Sequence, residues 1–340
     1  MKVTRPLELA SLPPEPVADT QERYHNKIKF MNLFKGGVLM TISTPQQAKL
    51  AEKHGARAIL ITEGSEKAFE GRHLIHNYRA MNPTEAKRIA GHVVLPSFLR
   101  VRYGHEIEAQ VMQLHGFTGI FETATLYAPF QRYSIRKHSF NVPFMSDGIT
   151  CVADALMRID EGASMLVNHV ASSSKPSELH KTYKNIERLY GEIEEFRRRS
   201  PVLKSGQTIS ERDKYIEEYL FKTNKVNKPN VKSEGLKIAD APTAMMNLPR
   251  PIRKDLLLNV IETGRFPVPF YAHGAITSPE DVAMLRCMGC DGVILSVNVF
   301  EGRFIDQKLK GAVQASQHWD NNYLLATICK DIGAYVKYGR

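Results

Sequence analysis

Short apolar runs alternate along this chain with stretches whose apolar residues recur every third or fourth position, and glycines punctuate the joins. The runs at 38–42, 58–61, 93–99, 118–121, 142–145, 163–167, 268–272 and 292–296 read as strands. Their near-continuous apolar character fits strands of a parallel sheet covered on both faces. Helices are predicted over 22–34, from Thr44-Pro45 to Gly55, from Pro83 to Gly91, over 105–114 with Gly116 as the stop, and over 152–159. A hydroxyl side chain followed by proline is a helix start, because the oxygen caps an orphan N–H and proline fits the first turn. Further helices are predicted over 181–196, where Ile186, Leu189, Ile193 and Phe196 share one side, from Ser278-Pro279, and over 305–317 and 323–335; an apolar pattern also resumes at 252–261.

Repetition of strand, loop, helix and glycine stop is the mark of right-handed βαβ crossovers. Eight such units predict an α/β fold, a closed (β/α)8 TIM barrel, with an open doubly wound sheet as the alternative. The regularity breaks after the sixth strand. Ser172-Ser173-Ser174 opens a polar loop, and residues 196–235 carry few apolar anchors, so this segment reads as an insertion with a short helix near 211–221. Residues 1–20, with Pro13, Pro14 and Pro16, read as a flexible arm, which leaves 21–340 for the barrel.

Composition narrows the class without naming a function. A chain of 340 residues that is 43% apolar buries a full core, and barrels of this type run to about 200–250 residues as one domain. Cys151, Cys287, Cys290 and Cys329 are too few and too irregularly placed for a disulfide framework, which predicts a reducing, cytoplasmic setting. Cys287-Met288-Gly289-Cys290 has no second pair to complete a zinc site, so no metal and no cofactor are expected. No secretory apolar segment and no run of about 18 apolar residues occurs, so no membrane span is predicted. The formal net charge of +10 draws anions, but basic and aromatic residues do not interleave as in a strand-binding surface, and no specific nucleic acid is expected. Arg197-Arg198-Arg199 reads as the solvated end of a charged helix.

In a barrel, the carboxyl ends of the strands meet at one mouth. The polar residues predicted there are Arg100, Arg102, Glu122, Asp147, His169 and His273. Arginine holds anions but forms no imine, so a covalent-amine mechanism lacks its nucleophile. Arg102 and Glu122 are expected to form an internal ion pair. Phosphates in barrels sit on the loops after strands seven and eight. Those loops read His273-Gly274-Ala275 and Ser296-Val297-Asn298-Val299, and only the first has a glycine to let backbone approach an anion closely. Arg100, Arg102, His273, Gly274 and Asn298 are therefore the candidate anion-binding residues. His54, His73, His76 and His92 lack metal-ligand spacing and read as surface or structural residues.

The motifs Lys35-Gly36-Gly37-Val38-Leu39-Met40, Arg102-Tyr103-Gly104-His105-Glu106-Ile107-Glu108-Ala109-Gln110, Val142-Pro143-Phe144, Glu161-Gly162-Ala163-Ser164-Met165-Leu166 and Gly289-Cys290-Asp291-Gly292-Val293 occur in this order. Together they resemble the synthase subunit of glutamine-dependent pyridoxal 5'-phosphate synthase, from about residue 24 to 335 apart from the segment near 196–235. The resemblance implies barrels in hexameric rings, two of which stack into a dodecamer. It implies a reaction that joins a pentose phosphate, a triose phosphate and ammonia from a glutaminase partner. It also implies two imine-forming lysines, one on strand three and one after strand six.

Here the first lysine position is Arg100 and the second is His169. The acid at the end of strand one is Thr41, the acid before the retained Glu122 is Phe121, and the arginine near the second lysine is Val167. Val170-Ala171-Ser172-Ser173-Ser174 replaces the family's glycine-rich loop, and Val297-Asn298 replaces its Gly-Ser phosphate element. The sequence given also ends at Arg340, short of the family's long carboxyl tail. The expectation is a catalytically inactive relative, a structural or regulatory subunit in a homomeric ring or in a mixed ring with an active synthase subunit. The insertion after residue 196 stands either to add a contact or to block the glutaminase. The alternative expectation is an active phosphosugar-handling enzyme of vitamin B6 biosynthesis or an altered lyase, with Arg100 on a phosphate and His169 or Glu122 moving protons.

Overall fold

Eight parallel strands close on themselves in sequence order: β1 (Val38–Ile42), β2 (Ala58–Ile61), β3 (Ser97–Arg102), β4 (Gly119–Thr123), β5 (Phe144–Ser146), β6 (Met165–His169), β7 (Phe270–Gly274) and β8 (Gly292–Leu295). This is a closed (β/α)8 barrel, and β1 pairs with both β2 and β8 to complete it. The computed structural model describes residues 17–63, 81–123, 134–169, 179–199, 216–220, 253–274 and 276–333. The Ser172-Ser173-Ser174 loop, and most of the arm and of the 196–235 segment, lie outside the described residues.

The helices are α1 (Val17–Asn32), α2 (Pro45–Lys53), α3 (Pro83–Ala90), α4 (Glu106–Leu114), α5 (Val152–Asp160), α6 (Leu179–Arg199), α7 (Lys254–Thr263), α8 (Pro279–Cys287), α9 (Ile305–Gln317) and α10 (Asn322–Gly333). The capping signals act as read. Thr44 accepts from the Gln47 N–H, and Ser278 and Asp281 form a reciprocal capping box, with proline in the first turn of each helix. α1 opens at Val17, so the last residues assigned to the arm are helical. α6 is longer than predicted at both ends, and residues 216–220 are helical.

Several strands begin later than their apolar runs. β3 starts at Ser97 rather than Val93, because Pro96 has no N–H to give the ladder and contributes only its carbonyl, to Ile59. Arg100 and Arg102 are thereby inside the strand, not beyond its end.

Two apolar layers stabilise the barrel. The larger lies between the strands and the surrounding helices, and the smaller fills the barrel itself. The interior is sealed from below by the end of α1, where Met31 and Phe34 pack against Leu39, Phe98 and Tyr271. Two glycines make room for these rings: a Cβ on Gly119 falls 2.3 Å from the Phe98 ring, and one on Gly292 falls 2.4 Å from Tyr271. Each large apolar side chain so buried contributes about 1.5–3 kcal/mol, which fixes the lower half of the barrel as a solid base for the polar layer above it.

Candidate functional site

Side chains alternate between the two faces of a strand, so the residues that share a face with the interior cluster can be followed upward. Above Leu39 comes Thr41, above Phe98 comes Arg100, above Phe121 comes Thr123, above Val167 comes His169, and above Tyr271 comes His273. Asp147 follows β5 directly. These residues are all buried, and together they form one polar layer across the mouth.

The layer is held by short contacts. Asp147 Oδ2 accepts from the Thr123 hydroxyl at 2.6 Å and lies 2.9 Å from His169 Nδ1. The His169 and His273 rings lie 4.3 Å apart, and the Phe121 ring is 6.4 Å from each. His273 Nε2 is 3.4 Å from Thr41 Oγ1, while its Nδ1 is buried with no hydrogen-bond partner. Arg100 places its guanidinium 5.4 Å from the centre of the Phe121 ring, a cation–π contact. Burial, reinforced by the neighbouring His169 and by Arg100, pushes the His273 pKa well below the ordinary imidazole value, so the ring is neutral at pH 7.

Glu122 is not in this layer. Because Phe121 faces inward, Glu122 faces the helices, where it accepts from the Gly104 and Ile135 N–H groups and sits 2.6 Å from Lys137 Nζ. The expected pair with Arg102 does not form. The turn at Gly104 brings α4 back over the strand end, so Arg102 binds Glu108 instead. Lys137 is fully buried in a 3-10 turn (Lys137–Ser139) and also binds Glu161 at 2.9 Å. Arg158 closes the network, on Glu161 at 3.1 Å and on the Tyr103 hydroxyl at 2.6 Å. Burial alone favours a neutral Lys137 amine, but Glu122 and Glu161 outweigh it and raise the pKa above the ordinary lysine value. Burial likewise opposes ionisation of Glu161, yet Lys137 and Arg158 hold its carboxyl down to about 2. Tyr103 is pushed up to about 12, chiefly by burial.

The structure thus brings Thr41, Arg100, Phe121, Asp147, His169 and His273 together, with Val167 just below them. Arg102 is engaged by Glu108 at the rim. Gly274 ends β7, and Asn298 lies in the 3-10 turn (Val297–Phe300) after β8, its side-chain amide buried. Sequence reasoning named neither Thr123 nor Lys137. Thr123 had a usable signal, two residues past the inward Phe121; Lys137 had none, since Arg136-Lys137-His138 reads as a solvated basic triplet. Among the other histidines, His54 binds Asp306 on the surface and His92 binds the Arg88 carbonyl, while His73 and His76 lie outside the described residues. Chemically, the mouth offers, among the described residues, an imidazole oriented by a carboxylate, a neutral imidazole beside it and a fixed cation, but no amine.

The sequence profile of the SOR/SNZ family matches residues 23–231, and the chain belongs to that family. It is similar to pyridoxal 5'-phosphate synthase subunit SNZ1 of Saccharomyces cerevisiae, 29% identical over 314 residues that make up 92% of this chain and 91% of that one. Pyridoxal 5'-phosphate synthase subunit PdxS of Dictyoglomus turgidum is 28% identical, over 88% of this chain and 87% of its own. Pyridoxal 5'-phosphate synthase-like subunit PDX1.2 of Arabidopsis thaliana is 27% identical, over 88% of this chain and 81% of its own.

Proposed function

We propose that this SOR/SNZ-family chain is a non-catalytic synthase-like subunit, a structural or regulatory component of a ring-shaped assembly, either homomeric or shared with an active paralogue. One observation carries the reading: Arg100 and His169 stand where the resemblance puts the two imine-forming lysines. Among the described residues the buried lysines are Lys27 and Lys137, and both lie outside the barrel interior. Lys137 cannot take over the role, because a nucleophilic lysine needs its amine neutral and the two flanking carboxylates keep this one protonated. The Phe121, His169 and His273 rings stand together at the mouth, beside both of these positions. Ring contacts through outer helices and loops would leave this layer untouched, so assembly is compatible with a changed interior.

The test is borohydride trapping with pentose phosphate, read by intact mass, alongside an assay for pyridoxal phosphate. No adduct and no product are expected; an adduct on any lysine overturns the reading. Native mass determination of the complex from its own cells checks the assembly, with a hexameric or dodecameric species as the expected result and an isolated monomer as the contrary one. The same measurement shows whether an active subunit or a glutaminase is retained.

A second reading rests on the Asp147–His169 contact, an arrangement that orients an imidazole for proton transfer. In it the chain is an enzyme of altered chemistry, with Arg100 holding a phosphosugar. Turnover of a phosphosugar that Asp147→Asn abolishes would favour this reading over scaffolding.

A further inference from the structure

The mouth layer is built so that one particular proton is excluded from it. His273 is buried on every side, and the groups that face it come from four strands. β1 supplies the Thr41 hydroxyl, β3 the Arg100 guanidinium, β4 the Phe121 ring and β6 the His169 imidazole. The carboxylate of this layer, Asp147, is bound to the far side of the pair, on His169 Nδ1, and also takes the Thr123 hydroxyl. A cation formed on His273 therefore meets Arg100 and the face of a second imidazole. His273 Nδ1 has neither a hydrogen-bond partner nor solvent contact, so a proton arriving there finds no acceptor. Such an uncompensated buried charge is relieved by moving the group to water rather than by tolerating it.

We propose that the Asp147–His169–His273 layer is an acid-operated latch on the barrel mouth, closed at neutral pH and released when His273 takes a proton. The strand ends that carry it, β6 at His169 and β7 at His273, are paired to each other in register, so both open together. The lower interior holds no group in its apolar cluster that takes up a proton in this range, since the phenol of Tyr271 is raised by burial, and it stays shut. The sign follows from linkage. The closed form keeps His273 neutral below the ordinary imidazole pKa of 6.5, while the open form protonates there. Each pH unit below that value then raises the open population by up to about tenfold, until the closed form also protonates.

Amide hydrogen exchange on the full-length protein reads this directly. Between about pH 7.5 and about pH 5.5, after correction for intrinsic rates, the amides at the ends of β6 and β7 should exchange up to about tenfold faster while those of Leu39 and Phe98 do not change. His273→Phe, which keeps a ring and removes the proton site, should abolish the acid response; His273→Gln serves the same purpose if the phenylalanine variant does not fold. His169→Gln should weaken it by removing one repelling neighbour. An acid response that persists undiminished in the His273 variants, or its absence in the native protein, overturns the proposal.

Discussion

Two buried polar clusters lie on opposite faces of β4, and they treat charge differently. Behind the strand, Glu122, Lys137, Glu161 and Arg158 bring two negative and two positive groups into alternating contact. Inside the barrel, the described mouth residues include one carboxylate, one guanidinium and two imidazoles, of which one stays neutral by exclusion. A hydrogen bond joins the clusters, from Arg158 Nε to the Asp147 carbonyl at 3.2 Å. The outer cluster is a charge-balanced clamp between loops, and its lysine is kept because its ammonium is structural. The inner cluster holds no amine among the described residues. Within one chain, a buried lysine is held between two carboxylates behind β4, while the described mouth carries arginine and histidine.

Breaking the outer clamp should produce the largest effect. Lys137→Met leaves Glu122 buried against two backbone N–H groups without its cation, while Glu161 keeps Arg158. Loss of one partner from a buried pair costs about 3–5 kcal/mol, read as a lower urea midpoint. Adding Glu122→Gln should recover part of that loss, since the orphaned charge is then gone. A change below about 1 kcal/mol for the single variant would mean that the clamp is not buried in solution.

Acid separates the two clusters in sequence. His273 is depressed from 6.5, so the stability it contributes is present above that pH and is lost as pH falls below it. Glu161 is depressed from 4.5 to about 2, so its contribution holds above about 4.5 and is lost as pH falls toward 2. The native protein should therefore lose stability first at the mouth and only later at the clamp. Glu161→Gln should flatten the lower window and leave the upper one intact; flattening of both would show that the clusters titrate as one unit.

The sequence made the frame readable because the frame rests on local rules. Thr44-Pro45, Asn82-Pro83 and Ser278-Pro279 announce helix starts by chemistry that needs no distant partner. Barrel closure then places Thr41, Arg100, His169 and His273 together with no further information, since strand ends must converge. Pairings were harder. Arg102 had two carboxylates within reach along the chain, and only the left-handed turn at Gly104, φ 71°, decides for Glu108. The facing of Glu122 was legible from strand alternation once Phe121 is set inward, but the identity of its partner was not. Lys137 lies 15 residues on, beyond a segment with no periodic signal.

A smaller change should sharpen the mouth without dismantling it. Thr123→Val keeps shape but removes the hydroxyl that binds Asp147, leaving His169 as the contact on that oxygen. A buried hydrogen bond to a charged group contributes about 1.5–3 kcal/mol. The loss should appear in the denaturation midpoint and fall below that of Lys137→Met. If the two losses were equal, the mouth would be as tightly clamped as the outer cluster, and its lack of charge balance would carry no energetic meaning.

The same ion chemistry placed in water supplies the control. On the last turns of α6, Glu195 binds Arg198 and Arg199, with all three side chains exposed. Each site sets two cations on one carboxylate, two guanidiniums here against an ammonium and a guanidinium on Glu161. The chief difference is burial. Solvent screens the exposed group, and ordering three long side chains offsets much of the attraction. Glu195→Gln should therefore leave the urea midpoint unchanged within error, at low salt as well as at physiological salt. A loss approaching that of Lys137→Met would mean that α6 is covered in the native protein, and the comparison would then locate a contact surface on that helix.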